Sequence, residues 1–292
     1  METVTQLLDT TFAPLVLLFT VSNLGAMGLQ VRMPEVAAAL RNRKAVALIF
    51  IWGWVLGPAV GLLITRILPL EEPYVIVVLL ASLAPCAPFL QQMVSKARGD
   101  MGFAGALIPV VAVGTVVLMP LLAPLLIKGL TISTWALAKP LLLTILLPLV
   151  VGAAFRHYAD NTATRVFPAV GVFAKLTTLA TIVWCLVLYG RGMLNTAGEF
   201  ALLAMTVFMV GMGAITYWLG FGMKQNQRSV RALGMGTRHV AALLAAALAI
   251  PDADPRILVM TIMGTLWSVV LAALAARFFT KRAGAPVAGG AA

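Results

Sequence analysis

Apolar residues dominate this chain in long blocks, and short clusters of Arg, Lys, Asp and Glu separate them. About twenty apolar residues cross the hydrocarbon core of a bilayer. On that rule the blocks predict nine spans, near 11–31, 44–67, 73–96, 101–127, 134–155, 166–190, 199–222, 229–250 and 256–279. Two blocks are interrupted near their middle. The third carries Pro85-Cys86-Ala87-Pro88 and the eighth carries Gly234-Met235-Gly236. Polar residues come directly after each interruption: Gln91 and Gln92 in the first, Thr237, Arg238 and His239 in the second. A bilayer cannot hydrogen-bond freed backbone groups, so a broken helix survives there only where protein or a watery cavity covers it. Paired interruptions in the two halves of a chain point to a carrier's substrate site.

Composition agrees with the blocks. A mean hydropathy of +1.01, 61% hydrophobic and only 11% charged residues over 292 positions describe an integral membrane protein, which the nine spans make an expected all-α polytopic one. Cys86 and Cys185 lie in different blocks and give neither metal spacing nor a disulfide framework. The net charge of +11 does not imply nucleic acid, because the basic residues gather at block ends, beside lipid headgroups. One set of connections holds fourteen of them, from Arg32, Arg41, Arg43 and Lys44 to Arg277, Lys281 and Arg282, with Arg231 among them. The other set holds five: Arg66, Lys128, Lys139, Arg191 and Arg256. The positive-inside rule then puts the N-terminus outside and the C-terminus in the cytoplasm, in a cell (inner or plasma) membrane. No basic segment precedes the first apolar block, so no cleaved signal peptide is expected. Segment 33–43 reads as a short amphipathic helix on the inner surface.

Nine spans divide as four, one and four. The chain is thus expected to form a single transmembrane unit over 1–292, with a flexible small-residue tail at 283–292. Spans 1–4 and 6–9 are expected to form inverted repeats, with span 5 unpaired and the broken spans 3 and 8 each third in their repeat. In span 3, Pro85 and Pro88 remove backbone donors, and a second half-helix is expected to restart near Pro88. In span 8, Gly234 and Gly236 are expected to loosen the chain, with Arg238 and His239 in the first turn of the second half-helix. Helix N-termini attract anions, and a guanidinium matches carboxylate, phosphate or sulfate. The expected substrate is therefore a small organic anion, held by Gln91, Gln92, Thr237, Arg238 and His239.

Removing the nineteen flanking cations from the twenty-one Lys and Arg leaves Lys175 and Arg238 within spans, with no carboxylate inside a span beside them. A charge at mid-membrane is costly and usually faces a cavity. For Arg238 the alternative is a side chain reaching the cytoplasmic surface, should span 8 begin later. Lys175 is equally compatible with a tethered cation or a surface-reaching side chain. Gly53, Gly57 and Gly61 form a ladder on span 2 for close helix approach, with Pro58 as a bend.

The run Lys96-Ala97-Arg98-Gly99-Asp100 after one break, and Gly234-Met235-Gly236-Thr237-Arg238-His239-Val240-Ala241-Ala242-Leu243 at the other, resemble the bile acid:sodium symporter family. The likeness covers nearly the whole chain, in a nine-span form. It implies a panel domain and a core domain, two unwound helices crossing in the core, and sodium coupled to uptake of bile acids or other organic anions. The sodium ligands of that family fall on Leu90 and Gln91 at the first break, where Ser or Thr then Asn is usual. At the second they fall on Gly234 and on Arg238-His239, where Glu and then Gln-Asn are usual. Sodium therefore stays a possible coupling ion without assigned ligands. Arg238, or Lys175, is expected to act as a tethered cation, and transport to be independent of sodium or weakly dependent on it. A related arsenite- or auxin-type exporter is the alternative. An anion channel fits less well, because no ring of like charges or repeated filter is present. No intramembrane Ser-His-Asp set, metal cluster or carboxylate pair accompanies His239, so no enzyme is expected.

Overall fold

The computed structural model describes residues 2–41, 43–127, 133–197, 200–220 and 222–283. Its elements, in chain order, are α1 (Glu2–Gly28), α2 (Met33–Arg41), α3 (Arg43–Phe50), a π-helical stretch (Ile51–Leu56), α4 (Gly57–Ile67), α5 (Glu72–Ser82), α6 (Leu90–Lys96), α7 (Met101–Leu126), α8 (Thr134–Leu141), a second π-helical stretch (Leu142–Leu146), α9 (Leu147–Tyr158), α10 (Asp160–Ala197), α11 (Ala201–Trp218), α12 (Gln225–Gly236), α13 (Val240–Ala249) and α14 (Pro255–Arg282). Both wide stretches run into a proline at the start of the next helix, Pro58 and Pro148. A proline lacks the N–H that would bond one turn back, so the ladder widens there.

Among the described residues six helices are long and apolar enough to cross a membrane: Val46–Ile67, Met101–Leu126, Thr134–Tyr158, Asp160–Leu188, Ala201–Trp218 and Pro255–Arg282. Shorter apolar helices occupy Pro14–Gly28, Glu72–Ser82 and Val240–Ala249, at the places of the expected spans 1, 3 and 8. The protein is an integral multi-pass membrane protein. Segment 33–41 is helical, as α2. The tail from 284 onward, Lys128 and Glu199 lie outside the described residues, as do the side chains of Cys185 and Arg191.

Helices α1, α9 and α10 pack on one another, while α4 to α7 and α11 to α14 make a second group. The first group closes on small residues. A Cβ on Gly28 would stand 2.4 Å from the Leu149 carbonyl oxygen, and one on Gly152 would stand 2.6 Å from that of Gly25. Polar side chains complete the seam: Asn23 donates to the Thr178 hydroxyl at 3.0 Å, and Ser22 and Thr177 share a hydrogen bond of 2.8 Å. In the second group the Gly53–Gly57–Gly61 ladder faces the end of α5. A Cβ on Gly57 would lie 2.8 Å from the Ser82 carbonyl oxygen.

Polar clasps hold the second group at both ends. At one end Arg256 binds Asp254 at 2.9 Å and also Glu71, joining the starts of α5 and α14. Hydrogen bonds from Arg256 hold the Asp254 carboxyl below the usual carboxylate range. At the other end Asp100 caps α7 through the Phe103 N–H at 2.9 Å and accepts from Gln227 of α12 at 3.3 Å. Asp100→Ala removes this cap, and a loss of about 1 kcal/mol is expected in a detergent melting experiment. An unchanged melt would mean that another group caps α7.

Candidate functional site

The two interruptions meet. Residues 83–89 leave the helix between α5 and α6, residues 237–239 leave it between α12 and α13, and Pro85 and Arg238 form an isolated antiparallel bridge. The His239 N–H donates to the Ala84 carbonyl at 2.8 Å. The Cys86 N–H donates to the Gly234 and Thr237 carbonyls at 2.9 and 3.0 Å. The Ala87 N–H donates to the Thr237 hydroxyl at 3.1 Å, and that hydroxyl donates to the Leu233 carbonyl at 2.7 Å. Each segment thereby satisfies the backbone groups that the other has freed, which a bilayer could not do. Cys86 holds a left-handed backbone, φ 73°, which turns the chain between its two prolines. Trp54 locks the approach from α4's side by donating its indole N–H to the Leu83 carbonyl at 3.1 Å.

One sequence expectation holds here and one is corrected. The first interruption restarts near Pro88: Pro88 and Phe89 form a turn, and α6 begins at Leu90. The second is not unwound at Gly234-Met235-Gly236. Helix α12 continues through Gly236, and the unwound residues are Thr237, Arg238 and His239. The glycines serve packing instead. A Cβ on Gly234 would stand 3.0 Å from Leu107, and one on Gly236 would stand 3.2 Å from the Met209 carbonyl oxygen. Helix α12 ends where side chains take over its last carbonyls: Thr237 binds that of Leu233, and Arg238 binds that of Met235.

Arg238 is 1% exposed. Its guanidinium donates to the Ala81 carbonyl of α5 at 3.2 Å and to the Met235 carbonyl of α12, and it lies 4.5 Å over the Phe208 ring. Both acceptors sit in the last turn of their helices, where the macrodipole carries its negative end. One cation thus closes the C-termini of both half-helices. Its Nε has no protein partner, and no carboxylate pairs with it among the described residues.

His239 caps α13 by accepting the Ala242 N–H at Nδ1, 3.3 Å. An acceptor at Nδ1 leaves the neutral ring's proton on Nε2, and Nε2 is also buried without a protein partner. The crossing therefore presents unbonded donors from Arg238 and His239 at the N-terminus of a ten-residue helix.

The other candidates lie further out. Gln91 is half-buried and Gln92 exposed in the first turn of α6. Lys175 is exposed on α10, a helix of the first group, and is not part of the crossing. Arg231, read from the sequence as a flanking cation, is 1% exposed. It donates to the Thr216 and Leu219 carbonyls at the end of α11 and lies 5.4 Å over Trp52. Its place seven residues before Arg238, inside the same apolar block, was the available signal.

Residues 14–195 match the family described as the Sodium Bile acid symporter family. The chain belongs to that family. The matched stretch includes the first interruption and stops before the second, so the partnership of the two rests on their geometry. Over 251 residues the chain is 24% identical to the "Probable sodium/metabolite cotransporter BASS3, chloroplastic" of Arabidopsis thaliana, covering 82% of this chain and 58% of the relative. Over 230 residues it is 25% identical to the "Probable sodium/metabolite cotransporter BASS2, chloroplastic" of Oryza sativa subsp. japonica, covering 75% and 54%. The chain spans somewhat more than half the length of these curated relatives.

Proposed function

We propose that this chain carries a small organic anion across a membrane by alternating access, with Arg238 as a built-in cation in place of a bound sodium ion. The observation that carries the reading is the Arg238 guanidinium, bonded to the Ala81 and Met235 carbonyls where the two broken helices end. Carbonyls at half-helix C-termini are the groups a carrier offers to a cation, and here a side chain already occupies them. A second cation beside the guanidinium would meet like-charge repulsion at low dielectric. A negative solute would meet the opposite: a fixed positive charge, a free Arg238 Nε–H, a free His239 Nε2–H and the first amides of α13. Gln91, Gln92 and Thr237 complete the proposed substrate contacts, with Gln91 and Gln92 flanking the crossing on α6.

The nine-span arrangement as inverted repeats, with the N-terminus outside, belongs to the same proposal. It rests on the three shorter apolar helices and on the uneven distribution of basic residues. The relatives' names couple sodium to a metabolite. The metabolite part is adopted for this chain; the sodium part is not, because Arg238 stands where the charge of an ion would be.

The test is uptake of labelled carboxylates into proteoliposomes, with sodium replaced by choline. Uptake is expected to persist in choline and to saturate with substrate. A strict sodium requirement would overturn the tethered-cation reading, and a flux that never saturates would overturn the carrier.

A further inference from the structure

A groove of about 240 Å³ runs along the second helix group, lined by residues of α11, α12 and α14. Small residues form its floor, among them Gly213, Ala232 and Gly236, and its inner end touches Thr237 of the crossing. At its other end stand Tyr217, Trp218, Phe278 and Phe279. Trp218 is 66% exposed and Phe278 47% exposed, so the groove opens at the outer surface of the helix bundle at this aromatic end. The walls are apolar almost throughout. A polar solute lodged there would leave its own groups unpaired, at a cost of roughly 2–7 kcal/mol for each.

The charge at the mouth narrows the choice. The Arg282 guanidinium lies 4.7 Å over the Phe278 ring and 5.6 Å over the Trp218 ring, both of which line the groove. No carboxylate pairs with Arg282 among the described residues, and Lys281 precedes it. The shape is thus a slender apolar slot with an aromatic rim and a cation directly above that rim. Basic residues at a helix end attract anionic headgroups, and the slot below supplies burial for a hydrocarbon tail.

We propose that this groove holds one acyl chain of an anionic phospholipid, with the headgroup phosphate on Arg282 and the chain end against Gly236 and Thr237. The groove meets the site proposed for the transported solute at Thr237 and is otherwise lined by different residues. It links lipid to the crossing, because Thr237, whose hydroxyl accepts the Ala87 N–H, is one of the residues lining the groove. A lipid seated there supports the α11–α12 contact, in which Gly236 meets Gly213 backbone to backbone.

Native mass spectrometry of the full chain in detergent tests this, with phosphatidylglycerol and phosphatidylcholine of matched acyl chains added in turn. The wild type is expected to retain phosphatidylglycerol about five-fold better than phosphatidylcholine, the preference that one basic contact supplies. Arg282→Gln should reduce that ratio to near one while keeping a lipid adduct. Filling the slot with Ala214→Phe and Ala275→Phe should remove the adduct for both lipids. Equal retention of the two lipids by the wild type would overturn the headgroup contact. An undiminished adduct in the filled variant would overturn the groove, and so would a second protein chain appearing in place of lipid. Should the filled variant fail to fold, the Arg282→Gln ratio decides alone.

Discussion

Arg238→Ala is expected to lower the melting temperature of the purified protein sharply and to make the remaining stability respond to sodium. The substitution strips two buried carbonyls, those of Ala81 and Met235, of a charged donor. Hydrogen bonds to charged groups contribute about 1.5–3 kcal/mol each, so the expected loss is about 3 kcal/mol or more. It also leaves two helix C-termini facing each other without a cation, which is unfavourable for their dipoles. Sodium at millimolar concentration should then restore part of the loss, as choline should not. Arg238→Lys keeps the charge but not the fork that spans both carbonyls, so its melting point should fall between those of wild type and the alanine variant. A melt unchanged in Arg238→Ala would mean that these bonds contribute nothing. A destabilised variant blind to sodium would keep the latch and remove the idea that Arg238 replaces an ion.

Gly152→Val should split the first helix group. A Cβ at 152 would fall 2.6 Å from the Gly25 carbonyl oxygen and 2.9 Å from the Gly28 Cα, and these backbone atoms cannot move aside without shifting α1. Overpacking at such a contact costs about 1–3 kcal/mol per intruding group, and valine brings three carbon atoms. Gly25→Ala supplies the contrast on the facing helix, because a Cβ there meets nothing within 4 Å. Thermal melting of the two variants in one detergent should show a clear loss for Gly152→Val and little change for Gly25→Ala. Equal melts would show that α1 and α9 separate without penalty.

Part of the crossing was legible in the chain. Pro85 and Pro88 cannot continue a helix ladder, and the polar run Thr237-Arg238-His239 inside an apolar block signals a covered cavity whatever the fold. The position of the second break was less legible. Gly234 and Gly236 are permissive residues, and permissiveness allows a break without requiring one. Helix α12 ends because the Thr237 hydroxyl, the Arg238 guanidinium and the Cys86 amide from the other segment compete for its last carbonyls. Two of those competitors lie next in sequence, but the third comes from the opposite half of the chain. Arg231 escaped for a similar reason. It lies just after a polar run at 224–229, and only the end of α11 packed against it turns it from a flanking cation into a buried cap.

By itself the sequence determined the membrane class, the alternation of long apolar blocks with basic connections, and the proline-bound place where a helix cannot run smoothly. Local properties are enough for these: hydrocarbon thickness, proline's missing donor, the cost of a charge in lipid. Tertiary structure alone decided that the two interruptions pair with each other and that Arg238 binds both helix ends. It also decided that Lys175 stays outside the crossing. These outcomes depend on which carbonyls are left unbonded and what stands opposite them, and residues far apart in the chain supply both.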